Sequence, residues 1–150
     1  MDLEIGQILW LKIRYNPTEI ALEKHPMLIY SIDDEYIEVI AVDKSKDKLF
    51  QLMKKCNVYI NVNNPDETVL YEDSYCQLNN RITLENFSEI GLSRHTLAKL
   101  SERKLQDILN KYETYHSENI IDDNRQVHMT KAEILQLNPD LINEYQEVSM

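Results

Sequence analysis

The sequence predicts an α+β fold, with a small twisted barrel or curled sheet over roughly the first eighty residues and amphipathic helices after it. Three observations carry this prediction. Five short runs rich in Ile, Val and Tyr, separated by polar or turn residues, occupy the first half at hairpin-length spacing. Strand–helix–strand alternation is absent there, which argues against a parallel α/β sheet. Beyond Arg81 the apolar residues recur at helical rather than strand spacing. With 150 residues, 43% of them apolar and 28% charged, the chain suits one main core.

The predicted strands are Gly6 to Tyr15, Pro26 to Ile32, Tyr36 to Val42, Asn57 to Val62 and Thr68 to Leu78, with Asp33-Asp34 as the tight turn between the second and third. Leu97, Leu100, Leu105, Ile108, Leu109 and Tyr112 then share one helical face. With Ser93 as N-cap, they predict an amphipathic helix over about 94–116, packed on the sheet. Ser117 to Val127 is polar and reads as irregular. Thr130 with Glu133 forms a capping box for a short helix through Leu137, and Asn138-Pro139 reads as N-cap and first residue of another. The expected organisation is a barrel with its terminal helix over 1–112, then an acidic helical extension over 113–150.

Charge narrows the functions. The chain carries −10, divided as −4 over residues 1–112 and −6 over residues 113–150. That field repels nucleic acid unless a local basic surface overrides it. One such run exists: Lys44, Lys46, Lys48, Lys54 and Lys55 stand against a single acid, Asp47. It is either a solvated loop or a phosphate-facing surface, and both readings stay open. Two glycines, Gly6 and Gly91, leave no Gly-rich phosphate loop. Two cysteines, Cys56 and Cys76, make neither a disulfide framework nor a Cys-rich zinc site, and both read as small core residues. His95, His116 and His128 lack the i, i+4 spacing of a metal motif, and no nucleophile elbow occurs, so no metal, cofactor or serine-hydrolase chemistry is expected. No apolar run approaches the ~18–20 residues of a spanning helix and the N-terminal residues include acids, so a cytoplasmic protein is expected.

Several strings recur in a meaningful order. Gly6-Gln7-Ile8-Leu9-Trp10-Leu11 is a glycine opening a hydrophobic strand, and Lys24-His25-Pro26-Met27-Leu28-Ile29 sets a basic residue and a proline at the start of the next. Asp73-Ser74 is followed, nine residues after the serine, by Thr83-Leu84-Glu85; Ile90-Gly91 and a terminal amphipathic helix complete the series. Over roughly residues 4 to 112 this series resembles the MazF/PemK family of toxins from toxin–antitoxin systems. The resemblance implies an SH3-like barrel with helices packed on it, usually a homodimer, that cuts single-stranded RNA without a metal and is held inactive by a cognate antitoxin. The chain also departs from the family. Where the family has an Arg before the second-strand Pro and a Thr after the third strand, this sequence has His25 and Asp43, and the family's Gln in the Asp-Ser…Thr stretch is Asn80.

Cleavage through the 2′-hydroxyl needs a base, an acid for the departing 5′-oxygen, and cations or donors facing the phosphate. A histidine, with an ordinary pKa near 6.5, can take either proton-transfer role, whereas an arginine can only stabilise charge. His25 is therefore the candidate acid or base. Ser45 is a candidate hydroxyl two residues beyond Asp43, and Lys44, Lys46 and Lys48 are candidate phosphate contacts. Asp43 repels a phosphate unless one of those lysines pairs with it. Arg81 and Asn80 are further candidates for facing RNA. The plainer alternatives are a turn residue held extended by Pro26 for His25, and a surface salt bridge for Arg81. Tyr15, Tyr30, Tyr36 and Tyr59 could stack bases or pack at a core edge. The acidic tail is either a lid over the lysine run or a pair of solubilising helices. Two functions follow: an endoribonuclease toxin, or the same barrel without catalysis, acting as a protein-binding or regulatory module. Convergence of His25, Ser45 and the lysines on one surface would distinguish them.

Overall fold

The structure is a computed structural model that describes residues 3–14, 19–20, 23–44, 57–60, 74–95 and 99–142. Ser45, Lys46, Lys48, Lys54, Lys55, Cys56 and Asp73 lie outside the described residues, and only the backbone of Lys44 is described. Seven strands make one sheet: β1 (Ile8–Leu11), β2 (His25–Ile32), β3 (Tyr36–Lys44), β4 (Asn57–Ile60), β5 (Ser74–Gln77), β6 (Arg81–Glu85) and β7 (Gln126–Met129). All pairings are antiparallel except β6 with β7. β3 serves two neighbours opposite β2: Tyr36–Val39 pairs with β6, and Val42–Lys44 pairs with β5, which in turn carries β4.

Around β1 and the middle of β2 and β3 both faces of the sheet are buried, because successive side chains point to opposite sides and nearly all are apolar. Ile8, Leu28, Ile40 and Val42 join one core with Leu105, Ile108 and Tyr112 of helix α1 (Glu102–Glu118). Leu9, Leu11, Met27, Ile29, Ile37 and Val39 join a second core with Ile82, Leu84, Val127, Met129 and Ile134, the last from helix α2 (Lys131–Leu137). A register shift between Ile29 and Ser31 places Tyr30 against the first core and leaves Ser31 opposite Glu38. Gly6 turns the chain into β1 with φ +94°, a conformation that suits glycine, and a Cβ there would meet Leu105 Cδ2 at 2.6 Å. Helix and turn thus approach each other at a position without a side chain.

Three expectations need correction. Among the described residues the strands do not close into a barrel: Leu9 bridges Arg94, and the His95 amide donates to the Ile8 carbonyl at 2.8 Å, so the outer side of β1 is taken by this segment rather than by β4. Helix α1 starts at Glu102, where the Ser101 hydroxyl accepts from the Lys104 amide at 3.2 Å. The expected cap, Ser93, instead donates its hydroxyl to the Ile90 carbonyl at 2.6 Å and ends a 3-10 turn over Ser88–Ser93. The stretch after 116 is not irregular to 127. α1 runs to Glu118, a 3-10 turn follows at Asp123–Arg125, and β7 lies parallel to β6, another strand absent from the sequence reading.

Thr130 caps α2 as expected, accepting from the Glu133 amide at 3.3 Å. Asn138 ends that helix, and its fully buried side chain pairs with Lys12 twice, accepting from the amide at 2.8 Å and donating to the carbonyl at 3.0 Å. The acidic tail is therefore fastened to the chain just beyond β1, and Ile121, Val127, Met129, Ile134 and Leu141 are buried.

Candidate functional site

His25 opens β2 and Asp43 stands one residue from the end of β3. Antiparallel pairing sets the start of one strand beside the end of the other. The β2–β3 ladder ends at Met27↔Ala41, two residues short of His25 and Asp43 on their respective strands. By strand alternation both side chains lie on the side of the second core, where Met27 is buried and Ala41 packs, and both are half-buried. The Tyr75 hydroxyl, from the paired position on β5, donates to Asp43 Oδ2 at 3.3 Å. The chain bearing Ser45, Lys46 and Lys48 leaves β3 at this end, and those residues lie outside the described residues.

Arg81 and Asn80 stand elsewhere. Asn80 is buried in the β5–β6 turn, where its amide donates to Gln77 Oε1 at 2.9 Å and its oxygen accepts from Arg125 Nη1 at 3.2 Å. Arg81 is exposed on the opposite side of the sheet from His25, and its Nη2 donates to His116 Nδ1 at 3.1 Å. That direction is fixed by the other ring nitrogen, since His116 Nε2 donates to the Leu78 carbonyl at 2.7 Å. Burial pushes the His116 pKa below the ordinary value; the bond to Leu78 opposes this and the Arg81 charge adds to it.

His116 stacks on Tyr112, with ring centroids 4.0 Å apart, and Tyr112 stacks in turn on Tyr30 at 4.5 Å. The Tyr112 hydroxyl donates to Glu38 Oε2 at 2.6 Å, and the Tyr30 hydroxyl donates to Glu113 Oε1 at 3.0 Å. Burial raises both phenols, Tyr30 to about 12 with help from Glu113, and Tyr112 further with help from Glu38. Both tyrosines therefore act as hydrogen-bond donors and not as bases.

Beside this stack the sheet presents a polar row across four strands: Ser31 of β2 faces Glu38 of β3, Glu38 faces Thr83 of β6, and Thr83 faces His128 of β7. Thr83 Oγ1 lies 2.8 Å from His128 Nδ1, and the Tyr36 ring meets the His128 imidazole edge-on at 5.1 Å. These five residues and Asp33 line a cleft of 370 Å³. A larger hollow of 500 Å³ nearby is bounded by Leu3, Ile32, Phe87, Ile90 and Gly91 among others, without a histidine. In the sequence Thr83 belongs to a family string and His128 is one of three histidines without metal-motif spacing, so neither is among the predicted site residues. The available signal was the alternation in Arg81-Ile82-Thr83-Leu84-Glu85 and Gln126-Val127-His128-Met129, whose apolar members are buried.

Among the described residues no group of three His, Cys, Asp or Glu side chains is placed to hold a metal ion, and no helix is long and apolar enough to cross a membrane. Cys76 is fully buried and its thiol is pushed up to about 12 by burial, against a small opposing effect of Lys104. Comparison with protein-family models finds no match for the chain, and comparison with curated proteins finds none either.

Proposed function

We propose that the chain is a MazF/PemK-like, SH3-like toxin of a toxin–antitoxin system, an endoribonuclease that cuts single-stranded RNA without a metal. The observation that supports this reading is the placement of His25 and Asp43 on neighbouring strand ends, on one side of the sheet, where the lysine-bearing chain departs. In this mechanism His25 exchanges a proton at the reacting phosphodiester. The 2′-hydroxyl gives up its proton, its oxygen attacks phosphorus, the bond to the 5′-oxygen breaks, and that oxygen takes a proton. The products are a 2′,3′-cyclic phosphate and a 5′-hydroxyl. Lys44, Lys46 and Lys48 hold the phosphate, Ser45 supplies a donor, and Asp43 is kept off the phosphate by Tyr75. The toxin reading carries with it a homodimer and a cognate antitoxin.

A second reading keeps the fold and drops catalysis, making the chain a protein-binding or regulatory module. It is favoured by Arg81 and Asn80, whose polar atoms are taken by His116, Gln77 and Arg125, with Arg81 on the face away from His25. Incubation of the purified chain with mixed-sequence single-stranded RNA in EDTA, beside His25→Ala, separates the two. Cyclic-phosphate ends that vanish in the variant uphold the nuclease. Intact RNA after long incubation with folded protein leaves the binding module.

A further inference from the structure

The cleft over the polar row is on the other side of the sheet from His25, and the proposed cleavage does not use it. We propose that this cleft, lined by Ser31, Asp33, Tyr36, Glu38, Thr83 and His128, receives the guanidinium group of an arginine presented by a partner polypeptide.

The first ground is the balance of donors and acceptors. Two carboxylates and three hydroxyls line the space, and among the described residues no Lys or Arg does. Glu38 gives one oxygen to Tyr112, and Asp33 gives Oδ1 to the Glu35 and Tyr36 amides at 2.8 and 2.7 Å. The other oxygen of each takes no hydrogen bond from a described residue. A guanidinium offers five N–H donors in a plane and no acceptor, which complements such a surface. Two arginines of neighbouring segments are engaged elsewhere. Arg81, two residues from Thr83 on the same face, is bonded to His116, and Arg14 pairs with Glu133 and the His128 carbonyl.

Shape and field agree. Tyr36 is 43% exposed and is set by its edge contact with His128, so its ring offers a face to a planar cation. The −10 charge of the chain draws cations and repels phosphates, so a nucleotide is the wrong occupant for a cleft with two carboxylates. Among the described residues no three His, Cys, Asp or Glu side chains are placed to hold a metal ion, and Asp33, Glu38 and His128 of this cleft are no exception. A cleft of 370 Å³ admits one long side chain rather than a folded element, which leaves an arginine carried on an extended segment.

The test is a titration of the 15N-labelled full chain with N-acetyl-arginine amide, in parallel with its uncharged counterpart N-acetyl-citrulline amide and with a short single-stranded RNA. The expected result is a saturable shift of the Ser31, Tyr36, Thr83 and His128 amides with the arginine probe. Citrulline should bind at least about tenfold more weakly, and added salt should weaken the arginine complex. Glu38→Gln keeps the acceptor for Tyr112 and should weaken arginine binding about tenfold. Tyr36→Ala, at an exposed ring, should also weaken it and serves if Glu38→Gln does not fold. Equal shifts with citrulline, shifts centred outside the cleft, or saturation of these same amides by RNA would overturn the proposal. Because the readout contains no cleavage step, its outcome is independent of whether the chain is a nuclease.

Discussion

At the scale of single residues, two positions concentrate more physics than their neighbours. Gly6 combines a positive φ with a helix side chain packed where its Cβ would be. Gly6→Ala therefore pays for an unfavourable backbone conformation and for displacement of Leu105, and should lower unfolding stability by about 1–3 kcal/mol in a urea titration. His116 is held neutral by its surroundings, so the unfolded chain binds its proton more readily than the folded one. Its contribution is then fully present above the ordinary histidine pKa of about 6.5 and is lost as pH falls through the lower folded value. Urea midpoints measured at about pH 7.5 and pH 5.5 should show a loss in the parent chain that is smaller in His116→Gln. A third variant isolates the bond to Glu38: Tyr112→Phe keeps the stack but removes the donor, at a cost of about 1–3 kcal/mol.

At the scale of elements, the contrast is between segments whose pattern is long and those whose pattern is short. β2 and β3 run for eight and nine residues and were readable from their Ile, Val and Tyr content, as was the apolar stripe of α1. β6 and β7 have only five and four residues, with Arg81, Glu85, Gln126 and His128 among them, too short an alternation to stand out beside polar turns. Ser93 and Ser101 are chemically equivalent as candidate caps, and only the 3-10 turn ahead of Arg94 decides between them. Ser101→Ala should thus cost about 1 kcal/mol and lower the helical circular-dichroism signal on heating, through loss of the cap to Lys104. For β7, the two faces give opposite results. Val127→Asp places a charge in the second core and should cost about 3 kcal/mol or more, while Gln126→Ala on the exposed face loses only the bond its amide donates to the Ile121 carbonyl and should cost about 1 kcal/mol.

At the scale of the whole molecule, the candidate sites differ in how legible they were for a topological reason. That His25 at the start of β2 and Asp43 near the end of β3 fall at one end of the sheet needs only adjacent antiparallel strands, which the local strings suggest. The Thr83–His128 contact needs a parallel pairing across 45 positions of sequence, and no local string encodes it. Asn138 shows the same limit: its Asn-Pro neighbourhood reads as a helix start, and a helical turn does follow, with the Leu141 and Ile142 amides donating to the Asn138 and Pro139 carbonyls, but its contacts with Lys12 span 126 positions and no local string encodes them. The tail is consequently part of the core. A chain ending near Tyr115 would lack β7 and α2 and uncover Ile82, Leu84 and Leu11. It should lose cooperative urea unfolding and bind hydrophobic dyes.

The parallel pairing of β6 with β7 also sets an order in time. A chain made from its N-terminus presents Arg81–Glu85 long before Gln126–Met129 exists, and about 40 residues separate them. At about 5–20 residues per second that interval is roughly 2–8 s, during which the outer edge of β6 and the floor of the second core have no cover of their own. The nascent protein therefore passes through an interval with an open, apolar-backed strand edge, when a chaperone, a sister chain on the same message or any extended segment can pair with it first. Completion of the fold is tied to the arrival of four residues, Gln126–Met129.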